Sequence, residues 1–305
     1  MSNLDKISYV PWPQLSYEEF KPTMHLLHMG AQAMGKLKLQ QPFEPHWDGV
    51  PLWLTSSGLS TGPLNYNFGV FSIDMDFINH CVICKSSWGQ KEDFRLEDMS
   101  VATFTTKLFN SLKKINIHLS VNPMPTEIPN PIPFDQDSIL RPYNPSLTQQ
   151  WWHIMLSTQR VMQRYHARFS GRTPPIGLMW GTLDLRDVRY KGKPMPVDTS
   201  MDFIRRNAMD DAQIEIGWWA GNETYPRPAF FSFTYPPPAG IEKAKIAPAQ
   251  ARWDTAMKEF ILDYDDLLKS KQPEEDLLSF FDSTYEAGAQ RANWNANLLT
   301  SGKPL

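Results

Sequence analysis

Phe71, Ile73, Met75 and Phe77 alternate with Ser72, Asp74 and Asp76 in the stretch Phe71–His80, a period of two that predicts a strand with one apolar face and two carboxylates on the other. Around it the pattern changes period. Ser16 and Glu19 form a capping box ahead of Phe20, Met24, Leu27, Ala31 and Met34, which predicts a helix that Gly35 ends. Strands are expected at Pro51–Ser56, Gly69–Phe77, Cys81–Ser86 and Asp93–Leu96, the middle pair joined tightly at Asn79-His80. A second amphipathic helix follows at Ser100–Lys114, then a strand at Asn116–Val121.

The order then recurs. Asn144 and Pro145 start a helix that carries Trp151, Met155, Met162, Tyr165 and Phe169 on one face and stops at Gly171. Strands are expected at Ile176–Tyr190, Gln213–Trp219 and Ala229–Tyr235, and two helices finish the chain, at Ala249–Lys269 and Pro273–Ala292. This reads as an α+β protein: two similar helix plus antiparallel-sheet halves, 16–121 and 144–269, packed as one body of 1–305 with C-terminal helices. The connector 122–143 is rich in proline and continues neither helix nor central strand; Phe134, Ile139 and Leu140 are expected to hold it against the body. If the halves are an internal duplication, their sheets lie face to face with a cleft at the junction.

Composition narrows the partners. The formal net charge is -3 over 305 residues, so no excess of Lys and Arg stands ready to displace counterions from nucleic acid, and no nucleic-acid partner is expected. No apolar run approaches the ~20 residues that span a bilayer, and Met1–Tyr9 has no apolar leader core; no membrane partner and a cytoplasmic location are expected. The two cysteines, Cys81 and Cys84, fall on opposite faces of a strand and read as free thiols, not as a zinc or redox pair. Eleven Trp and 26 Pro are the compositional oddity; most of the Trp are expected to build the core.

The candidate chemistry is carboxylate-centred. Asp74 and Asp76, about 6.5 to 7 Å apart along a strand that rises ~3.3 Å per residue, could hold a metal or act as acid and base, with His80 just beyond. Thr182, Asp184 and Arg186 share the polar face of a second strand, where an Asp–Arg pair orients a carboxylate or neutralises an anion. His25 and His28 are neighbours on the first helix with Gln32 one turn on, and His46-Trp47-Asp48 sets a histidine near an acid, as an oriented base requires. Each histidine alone more often makes a structural hydrogen bond. The hydroxyl-rich Ser56–Gly62 lacks the lysine of a phosphate loop, and no nucleophile elbow, zincin or dinucleotide motif occurs.

Trp12-Pro13, His25, Gly35-Lys36, His46-Trp47, Pro51-Leu52, Thr55, Gly58-Leu59, Ile73 to Ile78 with His80, Pro131 to Phe134, Trp180-Gly181, Asp184-Leu185 and Ser283 to Ala287 together resemble a bacterial family of unknown function, domain of unknown function 5996. The resemblance spans nearly the whole chain and implies one integrated unit, with no activity attached. Asp211-Ala212 stand where the family pattern carries a His-Glu pair, and Ser57 where it carries a basic residue. The leading expectation is a protein that binds a small polar ligand between its halves, with acid/base or metal-assisted chemistry by Asp74, Asp76, His80, Asp184 and Arg186, and with His25, His46 and Trp180 contacting the ligand; no cofactor is specified. The alternative is a non-enzymatic interaction protein that docks a protein partner on aromatic and proline surfaces such as Trp218-Trp219 and Pro236-Pro237-Pro238.

Overall fold

A computed structural model describes residues 10–196, 199–200 and 203–299. Among them are six α-helices and two six-stranded antiparallel sheets, so the chain is α+β. The first half runs α1 (Tyr17–Lys38), β1 (Trp53–Leu54), β2 (Gly58–Ser60), β3 (Leu64–Tyr66), β4 (Gly69–Asp76), β5 (Cys81–Ser86), β6 (Lys91–Arg95) and α2 (Val101–Lys114). The second runs α3 (Pro145–His166), β7 (Gly177–Met179), β8 (Asp184–Pro194), α4 (Phe203–Ala208), β9 (Asp211–Trp219), β10 (Ala229–Tyr235), β11 (Arg252–Asp254), β12 (Glu259–Asp263), α5 (Tyr264–Leu267) and α6 (Pro273–Arg291).

The sheets meet edge to edge, not face to face. Leu52 N–H donates to Leu178 O at 2.9 Å and Leu178 N–H to Leu52 O at 2.8 Å, an antiparallel bridge beside β1 and β7. The ladder therefore reads β6-β5-β4-β2-β1, then β7-β8-β9-β10-β12-β11. Its inner face is covered by α2, α1, α3 and α6, each touching the next or a strand above it. One cluster of buried apolar side chains runs through both halves, from Phe20 and Met75 to Trp151, Trp218 and Phe281.

Local chemistry explains most elements. Ser16 accepts from Glu19 N–H to start α1, and Asn144 accepts from Leu147 N–H ahead of Pro145 to start α3. α1 does not stop at Gly35: the helix continues to Lys38 because Gly35 lies directly under the Trp180 indole, where any side chain would collide. Gly30 likewise admits Phe104 and Met75.

Three expectations fail for identifiable reasons. The stretch expected as one helix over Ala249–Lys269 is the β11–β12 hairpin followed by short α5; Asp254 Oδ1 accepts from Ala256 and Met257 N–H, and Lys258 takes a left-handed φ of 60°. Its apolar residues fit a helical stripe, but that turn reverses the chain. Ile176–Tyr190 is likewise two strands around a turn at Leu183, where φ is also 60°. Asn116–Val121 forms no strand. In the connector Phe134 is buried, as expected, and Gln32 clasps Thr126 through both its amide groups, but Ile139 and Leu140 are exposed.

Candidate functional site

The carboxylates and histidines singled out in the sequence are placed in separate neighbourhoods. On β4, Asp74 accepts from the Ser60 hydroxyl at 2.5 Å and from Lys85 Nζ at 2.8 Å. Asp76 receives Ile78 and Asn79 backbone N–H and the Asn79 side-chain amide at 2.8–2.9 Å. Burial pushes its carboxyl up, but those donors together outweigh burial and hold it below the usual carboxylate value. It is the anchor of the β4–β5 turn. His80, in the left-handed region at φ 52°, shares a 2.9 Å hydrogen bond with Tyr143 Oη.

Asp184 lies four strand spacings from β4, roughly 19 Å at ~4.8 Å per strand. The expected convergence of Asp184 with Asp74 and Asp76 is thus overturned, because the edge-to-edge junction spreads the acids along one face. Among the described residues no three His, Cys, Asp or Glu side chains gather as a metal would require.

The registers put Asp184, Arg186 and Tyr190 of β8, Glu215 of β9 and Glu259 of β12 together on the outer face of the second sheet. Arg186, 5% exposed, has its guanidinium 3.6 Å from Glu215 and Tyr190 beside it; Nε and Nη2 lack a hydrogen-bond partner among the described residues. Burial, reinforced by the neighbouring Asp184 and Glu259 charges and only partly offset by Arg186, pushes Glu215 up to about 8. Burial and Asp184 push Glu259 up to about 7, and burial also raises Asp184, whose oxygen accepts from the Thr182 hydroxyl. Glu215 and Asp184 thus share one guanidinium, and Glu259 adds a further acid to the same face.

The histidines and tryptophan have structural partners. His25 stands 3.7 Å from Asp137, and burial with Arg141 nearby lowers its pKa. His28 Nε2–H donates to Gly181 O at 2.9 Å, and burial lowers its pKa to about 4, so it is neutral. His46 Nδ1–H donates to Asp210 at 2.5 Å, not to Asp48, and its ring stacks on Tyr190 at 4.2 Å. Trp180 is 1% exposed, and its indole N–H donates to Val50 O. Trp218 and Trp219 are buried too, which removes them from any docking surface. The cysteines are free, as expected, with Cys84 buried and its thiol pushed up to about 12.

The concave feature lies elsewhere, between the halves. A cavity of about 520 Å³ opens where the end of α1, the 42–50 segment and β1 of the first half face Pro175 and Phe203 of the second. None of the eight candidate residues lines it. Lys38 does: it is 6% exposed, Nζ donates to Thr61 O at 2.7 Å and stands 4.8 Å from the Trp53 ring centroid. Among the described residues no carboxylate oxygen comes within ion-pair distance of Nζ, and burial, only partly countered by the Glu44 charge, lowers its pKa to about 8. Trp47, 2% exposed, lines the same cavity with an indole N–H that has no partner among the described residues, and Asp48 Oδ1 is buried and unpartnered beside it.

A smaller hollow of about 340 Å³ shares Trp53 and Pro175 and is lined by Gln159, Gln163 and His166. His166 Nδ1–H donates to buried Asp187 at 3.0 Å, and that bond raises its pKa. Sequence reasoning passed over Lys38, Trp53 and His166. Lys38 reads as an ordinary basic residue in the last turn of a helix, and the His166–Asp187 pair joins an α3 residue to a β8 residue with no local signature.

A family model matches residues 12–301. The chain belongs to the family of unknown function DUF5996. The match takes in both halves, the connector and α6, and hence both walls of the cavity. No curated protein and no solved structure matches the chain. No helix among the described residues is long and apolar enough to cross a membrane.

Proposed function

We propose that this DUF5996 protein binds a small planar molecule bearing an oxygen acceptor, a carboxylate or carbonyl, in the cavity between its halves. The observation that carries this reading is the Lys38 ammonium on the cavity wall, which donates to Thr61 O and has no carboxylate within ion-pair distance among the described residues. An ammonium carries three donors and Thr61 O engages one of them, so the cavity wall offers charged donors to an acceptor that enters. The remaining walls, Trp53, Phe43, Phe203 and three prolines, offer flat apolar faces to a ring. Glu44 and Asp48 at the same cavity supply acceptors for a donor on the ligand.

The recurrence in each half of a long helix followed by an antiparallel sheet supports descent from a duplicated unit, which would explain a hollow at their seam. Benzoate is a suitable probe of the binding reading. Calorimetric titration should show binding to the wild-type chain and at least about tenfold weaker binding to Lys38→Met, since a charge-assisted hydrogen bond contributes about 1.5–3 kcal/mol. Equal affinity of the two proteins, or no heat with either, overturns the reading.

A further inference from the structure

We propose that Lys38 is a nucleophile that condenses with carbonyl compounds entering the cavity, and so that the ligand class is an aryl aldehyde or ketone. The inference rests on the binding reading above and gives it a chemistry. Its geometric basis is the environment of Nζ: an amine held inside a cavity of about 520 Å³, tethered by one hydrogen bond to Thr61 O, with no carboxylate within ion-pair distance among the described residues. Lysines that serve as imine-forming nucleophiles are desolvated in this way, because burial favours the neutral amine. Here burial brings the amine down to about 8, which gives it a neutral fraction near pH 8 about a hundredfold above that of an exposed lysine. The Trp53 indole, 4.8 Å from Nζ, forms a flat wall along which an aromatic ring can lie with its carbonyl carbon facing the amine.

The step balances without a co-reactant. The Nζ lone pair forms a C–N bond to the carbonyl carbon while the C=O π pair moves to oxygen. A proton passes from nitrogen to oxygen to give the carbinolamine. Loss of the hydroxyl as water, with the remaining N–H proton released, leaves a C=N bond to Lys38. No atom changes its overall oxidation balance, and hydrolysis reverses the sequence.

The test uses benzaldehyde with sodium cyanoborohydride at pH 8, followed by peptide mass mapping, with benzoate as a ring of similar shape whose carboxylate does not condense. The expected result is a mass gain equal to the aldehyde less its oxygen on the Lys38 peptide, formed at least about tenfold faster than on any exposed lysine. Benzoate should slow it, and it should be absent in Lys38→Arg, which keeps the charge but has no amine that condenses. If benzoate binds but Lys38 labels no faster than surface lysines, the nucleophile assignment falls while the binding reading stands. If neither benzoate nor benzaldehyde binds, both fall.

Discussion

Asp74 and Asp76 on the first sheet and Asp184, Glu215 and Glu259 on the second all leave the outer face of one continuous ladder, yet their surroundings differ in kind. The first pair is fully engaged: Asp74 by Lys85 and Ser60, Asp76 by a turn it helps to form. The second set is more deeply placed and short of partners, with Glu215 and Asp184 sharing buried Arg186 and unpaired atoms on both Arg186 and Glu259. An Asp-x-Asp strand pattern looks more like chemistry than an Asp-Leu-Arg strand does, but pattern alone does not report how many partners each charge will find. The largest consequence should follow from Arg186→Met, which strips the cation from Glu215 and Asp184. It should cost about 3–5 kcal/mol in urea unfolding at pH 9, where Glu215 is ionised, whereas Arg186→Met with Glu215→Leu should recover most of that. A single-variant loss below about 1 kcal/mol would show that the second set is as well solvated as the first.

The pH dependence sharpens the contrast, because the two sets predict opposite signs. Glu215 has a folded pKa near 8, above its unfolded value near 4.5, so the native state holds a proton that the unfolded state has lost; its contribution is fully present below about 4.5 and declines as pH rises toward 8. Asp76 has a folded pKa below its unfolded value, so its contribution is present above the unfolded pKa and is lost as pH falls through the folded one. Glu215→Gln should therefore flatten the fall in stability between about pH 4.5 and 8 and leave the acid limb alone. Asp76→Asn should do the reverse. Thermal unfolding of both variants from pH 3 to 9 decides the matter, and a shared acid limb would erase the distinction.

Much of the scaffold was legible where a residue type has one local use. Ser16 with Glu19, Asn144 with Pro145, and Pro273 each mark a helix start that the structure retains, and alternation from Phe71 to Phe77 marks β4. Ambiguity entered where apolar residues fit two periods: Trp253, Phe260 and Ile261 satisfy a helical stripe, and only the Asp254 turn and a left-handed Lys258 make them strands. Gly35 was a plausible helix stop until Trp180, far along the chain, was seen to need its missing side chain. The site was least legible. Lys38 owes its character to Trp53, Thr61 and the far wall at Phe203, and no spacing in the sequence encodes that meeting of two halves.

The smallest expected effect tests whether the first sheet is as ordinary as its partners imply. Lys85 is half exposed and its 2.8 Å pair with Asp74 is open to solvent and salt, so side-chain entropy and screening offset most of the Coulombic gain. Asp74→Asn keeps an acceptor for the Ser60 hydroxyl while removing the charge, and Lys85→Met removes the other partner. A double-mutant cycle on these two substitutions should give a coupling of about 0.2–1 kcal/mol at low salt, shrinking further in 1 M NaCl. A salt-insensitive coupling well above that would mean that Asp74 is held in a low-dielectric site after all, and the difference between the two sets would be one of degree.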